Sequence, residues 1–294
     1  MTSEHQFGGI WTEAKLDSVR KYLHAYGLIF EKNVKASWYR TIYVDAFAGT
    51  GYKTNPRKHR ATSNPLFNDK DAISFQKGSA IAALEAEPSF DDYIFVERSE
   101  NYASELEKLR LKFPSKADKI HVVQEEANAF IQSWCSKTNW HNTRSVVFLD
   151  PYGMQVEWKT IEAMGKTQGI DLWILFPLGQ AVNRLLTTNR IPEGAWADRL
   201  TAFFGTDEWK SSFYRPQRQL TLFGPRGNFE KTADFASIGK FFIERLETVF
   251  AKVAKNPRPL YNTRNVPIFL LCFAAANPKG APIAVKIAQN ILGK

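Results

Sequence analysis

Between Thr41 and Gly51 the chain reads Thr-Ile-Tyr-Val-Asp-Ala-Phe-Ala-Gly-Thr-Gly, and no other stretch limits the fold as much. Ile42 to Asp45 is β-branched and apolar enough for a buried strand, and Ala48-Gly49-Thr50-Gly51 predicts a tight turn directly behind it. A strand that ends in an acid and breaks into glycines lets backbone N–H groups come close to a ligand. A phosphate loop of the Walker type needs Gly followed at once by Lys and Ser or Thr. Here Tyr52 separates Gly51 from Lys53-Thr54, which excludes it. The dinucleotide fingerprint wants a third glycine near position 54, where Thr54 stands, so that pattern fits poorly.

The rest of the chain alternates strand and helix, as an α/β fold requires. Leu16, Val19, Leu23, Tyr26 and Ile29-Phe30 predict an amphipathic helix from Trp11 to about Phe30, with Thr12 as its cap. Residues 52–77 read as a long polar, basic loop, and a helix runs from Lys77 to Glu87. Tyr93–Val96 is the second strand and ends at Glu97. The helix from Ser99 to Lys112 leads to strand three, Ile120–Val123, followed by Glu125-Glu126-Ala127-Asn128 and a helix from Ala127 to Trp134. Val146–Leu149 is fully apolar, the mark of a central parallel strand, and Asp150-Pro151-Tyr152-Gly153 follows it. Ile170–Phe176 is strand five. Before the next strong strand, Pro267–Ala276, come helices over Gln180–Leu186, Ala195–Phe204 and Ile238–Lys252, with basic, aromatic loops between them. A short strand near Leu260-Tyr261 is expected to pair antiparallel with the last one, and Ala281–Leu292 closes the chain as a helix.

A length of 294 residues suits one enlarged domain, or a domain with a subdomain, and can bury a large core. The longest apolar run, Ile268 to Ala276, is too short to cross a bilayer, and Met1 to Gly9 has an acid and no apolar core. No membrane and no secretory signal are expected. Cys135 and Cys272 lack metal-ligand spacing and predict two buried, reduced thiols, with no disulfide and no metal, in a cytoplasmic protein. The net charge of +9 is clustered. Lys53, Arg57, Lys58 and Arg60 follow the glycine turn with no acid among them. Lys210, Arg215, Arg218, Arg226 and Lys231 are interleaved with Phe213, Tyr214, Phe223 and Phe229, and Lys252, Lys255, Arg258 and Arg264 form a third group. Basic side chains among aromatics suit phosphate contact plus base stacking, so a nucleic acid, DNA or RNA, is the expected partner. A solvated basic surface is the alternative.

The Asp-x-Phe-x-Gly-x-Gly of Asp45 to Gly51 resembles the first motif of S-adenosylmethionine-dependent methyltransferases, particularly those that modify nucleic-acid bases. Glu97, at the tip of strand two, stands where a Rossmann-like fold hydrogen-bonds the ribose hydroxyls of an adenosine. An acid or amide after strand three, Glu126 or Asn128, stands where this fold reads the adenine amino group. Asp-Pro-aromatic after strand four carries its own chemistry. The lone pair of an exocyclic amine is delocalised into its ring, and a carboxylate and a carbonyl fixed by proline can accept both N–H bonds and localise that pair. An aromatic stacked on the base holds it in line. Asp150 and Tyr152 fill these catalytic roles, with Pro151 beside the substrate.

The whole chain resembles the three-Cys-motif partner family. The resemblance rests on Trp11-x-x-x-Lys15-Leu16 with Tyr22-Leu23, Val44-Asp45-Ala46-Phe47-Ala48-Gly49, Lys77-Gly78-Ser79, Phe148-Leu149-Asp150-Pro151-Tyr152-Gly153 and Asp171-Leu172-Trp173-Ile174-Leu175-Phe176-Pro177. The family name implies a partner protein with three cysteines. Gly78-Ser79 followed by Glu97 and Asp150 is similar to ribosomal-RNA adenine-N6 methyltransferases. Asp150-Pro151-Tyr152-Gly153 looks closer to the Asp-Pro-Phe-Gly of tRNA guanine-N2 dimethyltransferases. The missing second proline leaves adenine N6 and guanine N2 both open as targets. These resemblances imply a Rossmann-like class I methyltransferase sheet over residues 1–176 and 258–294, with a helical insertion, 177–257, for substrate or partner recognition. They imply a cofactor site of Lys15, Asp45, Phe47, Gly49, Gly51, Ser79, Glu97, Glu126 and Asn128; the basic cluster after the glycine turn adds expected substrate contacts from Arg57, Lys58 and Arg60. The alternatives are a methyltransferase of proteins or small molecules, and a non-catalytic subunit that binds S-adenosylmethionine or nucleic acid for its partner.

Overall fold

The structure is a computed structural model that describes residues 10–48, 78–216, 220–221, 224–225 and 229–293. It is mixed α/β, with an eight-stranded, mostly parallel sheet. Helix α1 (Ile10–Lys32) leads into β1 (Arg40–Asp45), and α2 (residues 78–85) precedes β2 (Asp92–Val96). Helices α3 (Glu100–Glu107) and α4 (Leu109–Lys112) lead to β3 (Ile120–Val123), α5 (Ala127–Lys137) to β4 (Thr143–Leu149), and α6 (Trp158–Lys166) to β5 (Ile170–Phe176). Then come a π-helical turn (Leu178–Val182), α7 (Asn183–Leu185), α8 (Ala195–Phe204) and α9 (Trp209–Phe213). Two small hairpins follow, one from β6 (Tyr214–Pro216) and β9 (Phe229–Lys231), the other from β7 (Leu220–Thr221) and β8 (Gly224–Pro225). Helix α10 (Phe235–Glu247), β10 (Lys252–Val253), β11 (Arg258–Tyr261), β12 (Pro267–Ala275) and α11 (Ala281–Leu292) complete the chain.

The strand order is β10-β12-β5-β4-β1-β2-β3, with β11 also on β12. Strands β1 to β5 are mutually parallel. β12 runs antiparallel to β5, and β10 and β11 antiparallel to β12. This is the expected Rossmann-like arrangement, with the expected antiparallel pairing near Leu260 in place.

Side-chain alternation splits the sheet's neighbours into two cores. Val44, Val96, Val147, Leu172 and Ile174 pack with α5, α6, α8 and α10. Tyr43, Tyr93, Phe95, Val146, Phe148, Trp173 and Leu175 pack with α1, α2 and α11. Burial on both faces explains why these strands read as apolar runs rather than as alternating ones.

The segment after β5 shares the sheet's core. Phe176 of β5 stacks on Phe242 of α10 at 4.2 Å, and Phe203 and Phe204 of α8 continue the cluster. Asp234 and Ser237 close a capping box that starts α10. The sequence reading differs here in three places. Lys252, expected as helix, is strand β10 of the main sheet, so the sheet resumes before residue 258. Gln180–Leu186 is a π-helical turn plus a short α-helix rather than one helix. Thr12 lies inside α1 rather than capping it. Cys135 and Cys272 are both buried and unpaired in any disulfide, as expected. No helix among the described residues is long and apolar enough to cross a membrane.

Candidate active site

The strand order reverses between β1 and β4, and open α/β sheets bind ligands outside the carboxyl ends of their strands at such a reversal. In register, Asp45 at the end of β1 faces Phe95 on one side and Phe148 on the other. Glu97 and Asp150 each stand two residues beyond those partners, so three carboxylates converge on one edge.

A cation enters this edge from α1. Lys15 sits on the buried stripe of that helix with Ser18, Val19 and Tyr22, and it exposes no surface. Its Nζ lies 2.6 Å from Asp150 Oδ2 and 5.3 Å from the centre of the Phe148 ring. Burial pulls the Lys15 amine below the usual lysine range, against the charge and hydrogen bond of Asp150 and the charge of Asp45. The resemblance placed Lys15 on the cofactor; the structure places it on Asp150.

Asp45 is 1% exposed. Its Oδ2 accepts from Ser79 Oγ at 2.7 Å, and its Oδ1 lies 3.4 Å from the backbone N of Phe47. Burial raises its carboxyl to about 7; the Ser79 hydrogen bond opposes that, the charge of Asp150 adds to it, and Lys15 opposes it. Ser79 reaches Asp45 because α2 packs tightly on α1. A Cβ on Gly78 would stand 2.8 Å from Leu16 Cδ1, so the two helices meet closely at that glycine. Among the described residues Lys15 is the one cation beside buried Asp45 and half-buried Asp150, and a proton on Asp45 or a ligand cation can balance the second carboxylate.

Glu97 is 2% exposed, and its Oε1 accepts the N–H of Ser99 at 2.5 Å. Glu126 is the N-cap of α5, accepting from the N–H of Ala129 at 2.9 Å. Asn128 is a different case. Its amide nitrogen donates to Glu126 Oε1 and to the carbonyl of Gln155, and its oxygen accepts from the N–H of Glu157 and from Thr160 Oγ1. All four hydrogen-bonding positions are spent inside the protein, so Asn128 brackets α5 to α6 and offers an adenine nothing in this conformation. After β4, Pro151 is buried while Tyr152 is 37% exposed, and Gly153 takes a φ of 65° that turns the chain away. Phe47 is buried at the foot of this edge. Gly49, Gly51, Arg57, Lys58 and Arg60 lie outside the described residues.

One residue escaped the sequence reading. Gln180 lies in the π-helical turn after β5, and its buried Oε1 has no hydrogen-bond partner among the described residues. The turn flanks the Asp150–Gly153 loop, since a Cβ on Gly153 would stand 3.9 Å from Ala181 Cβ. π-helical turns recur at functional sites, and the sequence signal was Pro177 and Gly179 interrupting the exit from an apolar strand. Among the described residues no group of His, Cys, Asp and Glu could hold a metal ion.

No protein-family profile matches the chain, and no curated protein matches it. Two solved structures resemble it in part. One is yhhF of Escherichia coli, a candidate methyltransferase, at 14% identity over 72% of this chain and 86% of that one, with a TM-score of 0.30. The other is an uncharacterized protein from Burkholderia thailandensis, at 10% identity over 95% of this chain and 84% of that one, with a TM-score of 0.36. Similarity at this level identifies neither an activity nor a ligand. The functional reading therefore rests on the residues themselves, and the resemblance to the three-Cys-motif partner family on its quoted motifs.

Proposed function

We propose that the protein is an S-adenosylmethionine-dependent methyltransferase that acts on an exocyclic amine of a nucleic-acid base, adenine N6 or guanine N2. The observation that carries this reading is the convergence of Asp45, Glu97 and Asp150 on the carboxyl edge, at the reversal of strand order. The donor set fits the cofactor. Buried Asp45, with a hydrogen bond from Ser79, suits the cofactor's ammonium, and Glu97 stands where a ribose diol would lie. When bound, S-adenosylmethionine supplies an electrophilic methyl group. The protein's own work is to hold the acceptor amine in line. Lys15 fixes Asp150 through Oδ2, which leaves Oδ1 to accept an N–H from the amine and draw its lone pair out of the ring. Tyr152, exposed beside it, supplies a stacking face.

Incubating the protein and labelled cofactor with total nucleic acid, then identifying the labelled nucleoside by mass, tests the reaction. Asp150→Ala should lower transfer by at least roughly a hundredfold, the usual worth of a positioned acid–base or hydrogen-bonding group, while Asp150→Asn, whose amide oxygen still accepts a hydrogen bond, should keep part of it. Unchanged transfer in Asp150→Ala would end the amine mechanism. The Lys15–Asp150 pair also fits the rival reading, a subunit that binds cofactor or nucleic acid for a three-cysteine partner and transfers nothing, because the pair occupies half of the carboxylate. Wild-type transfer separates the two: it should be present, and lower in Lys15→Met at a temperature where that variant is folded, if Lys15 orients Asp150, and it should be absent if the site only binds.

A further inference from the structure

A second cluster of charge lies at the opposite, amino-terminal edge of the sheet, roughly 20 Å from the first by the length of a six-residue strand. Asp92, at the start of β2, is buried and accepts from two basic side chains at once. Arg40 Nε stands 2.6 Å from Oδ2, and His121 Nε2 stands 3.0 Å from Oδ1. Asp92 thus aims both groups and uses only one nitrogen of each. Among the described residues nothing else engages the terminal nitrogens of Arg40 or Nδ1 of His121. All three line a groove of about 400 Å³, whose wall also carries the indole of Trp134 and the amides of Asn139 and Asn142. Trp134 is fixed in plane by Phe130, stacked at 6.4 Å, and Trp140, edge-on at 5.0 Å. Beside the groove, Trp38 is 53% exposed and stacks on Tyr39 at 4.1 Å, while the Arg144 guanidinium lies 3.9 Å from the Tyr39 ring centre.

We infer that this groove binds a nucleotide unit, separately from the carboxyl edge. Its phosphate meets Arg40 and His121, its base lies against Trp134, and the Asn139 and Asn142 amides supply donors and acceptors for the base edge. A planar guanidinium held by a carboxylate still presents donors in the geometry that a phosphate accepts. A fixed indole offers any base a stacking face. The unit has two sources, a free nucleotide or one residue of a single strand that continues over Trp38 and Arg144.

The test uses the full chain and three probes: inorganic phosphate, adenosine 5′-monophosphate, and a short fluorescein-labelled single-stranded oligodeoxynucleotide. Adenosine monophosphate should shift the Trp134 and His121 side-chain resonances, and phosphate alone should leave the Trp134 indole unmoved. Arg40→Gln and His121→Gln, both at exposed side chains, should each weaken the nucleotide about tenfold without lowering thermal stability appreciably. Oligonucleotide binding that competes with the monophosphate and weakens in Trp38→Ala identifies a strand as the source. Monophosphate binding that the oligonucleotide cannot displace identifies the free nucleotide. If neither probe binds, if phosphate moves the indole as much as the nucleotide does, or if both Gln variants bind like wild type, the inference is wrong. None of these readouts involves methyl transfer, so they stand apart from the fate of that proposal.

Discussion

The two edges of the sheet each hold a carboxylate against a cation, and the pairs behave in opposite ways. At the carboxyl edge Lys15 is fully buried and Asp45 nearly so, and burial prevails: the Lys15 amine is pulled down and the Asp45 carboxyl pushed up to about 7. At the amino edge burial also pushes on Asp92, yet the hydrogen bonds and charges of exposed Arg40 and His121 outweigh it and hold that carboxyl below its usual range. The difference lies in water. A charge at a surface keeps most of its hydration and gains from its partner, whereas a charge under a helix loses hydration that one partner cannot fully return. A buried edge where desolvation outweighs pairing is suited to take up a cationic ligand; a satisfied, open edge is suited to present donors.

The largest expected effect comes from removing the buried cation. Lys15→Ala leaves Asp150 without its ion-pair partner beside Asp45, and should destabilise the fold by about 3–5 kcal/mol, the range for breaking a buried pair. Urea denaturation of the variant measures it. Replacing both members by apolar residues, as in Lys15→Met with Asp150→Leu, should recover most of the loss. A double variant as unstable as Lys15→Ala would show that packing, not charge, makes Lys15 matter.

Much of this comparison was legible in the sequence, and the missing parts have physical causes. The runs Tyr-Val-Asp, Ile-Phe-Val-Glu and Val-Phe-Leu-Asp announce buried parallel strands ending in acids, because strands covered on both faces cannot alternate. The Lys15–Asp150 pair spans 135 positions, and no local pattern reports such a contact. A lysine on the stripe of Val19 and Tyr22 was the available signal, since a charge on a buried face requires a partner. Asn128 misled for the opposite reason. An amide after strand three looks the same whether it reads a ligand or ties two helices together, and only its four filled hydrogen bonds tell. Strand β10, two residues long, is set by pairing with β12 rather than by its own composition.

A smaller effect should appear with pH. Asp45 in the folded protein holds its proton up to about 7, against 3.8 for an unperturbed carboxyl. Its stabilising contribution is therefore complete below about 3.8 and is lost as pH rises through about 7. Asp45→Asn, which cannot ionise, should gain on wild type by on the order of 2.5 kcal/mol between pH 5 and pH 8. Unfolding midpoints at the two pH values measure the gain. Asp171, raised to about 7 by burial while Tyr22 Oη donates to it at 2.6 Å, titrates in both proteins and cancels in the difference. A difference that does not change with pH would mean that Asp45 ionises normally, and the contrast between the edges would collapse.

The smallest effect is expected at the amino edge, and it probes the contrast from the other side. Arg40 has a side chain 61% exposed, so its bond to Asp92 is made largely in water and is open to screening. His121 stays in place when Arg40 is removed, so Asp92 keeps one donor at 3.0 Å. Arg40→Ala should therefore cost about 0.2–1 kcal/mol of stability, the range for exposed pairs. That cost should shrink further in about 1 M salt, where the screening length is about 3 Å, while the cost of Lys15→Ala should hardly change. Paired urea titrations of the two variants at low and high salt make the comparison directly. If Arg40→Ala costs as much as Lys15→Ala, or if both losses vanish together in salt, burial does not separate the two edges. A small, salt-sensitive loss beside a large, salt-resistant one would show the same ion-pair chemistry set to two uses by its access to water.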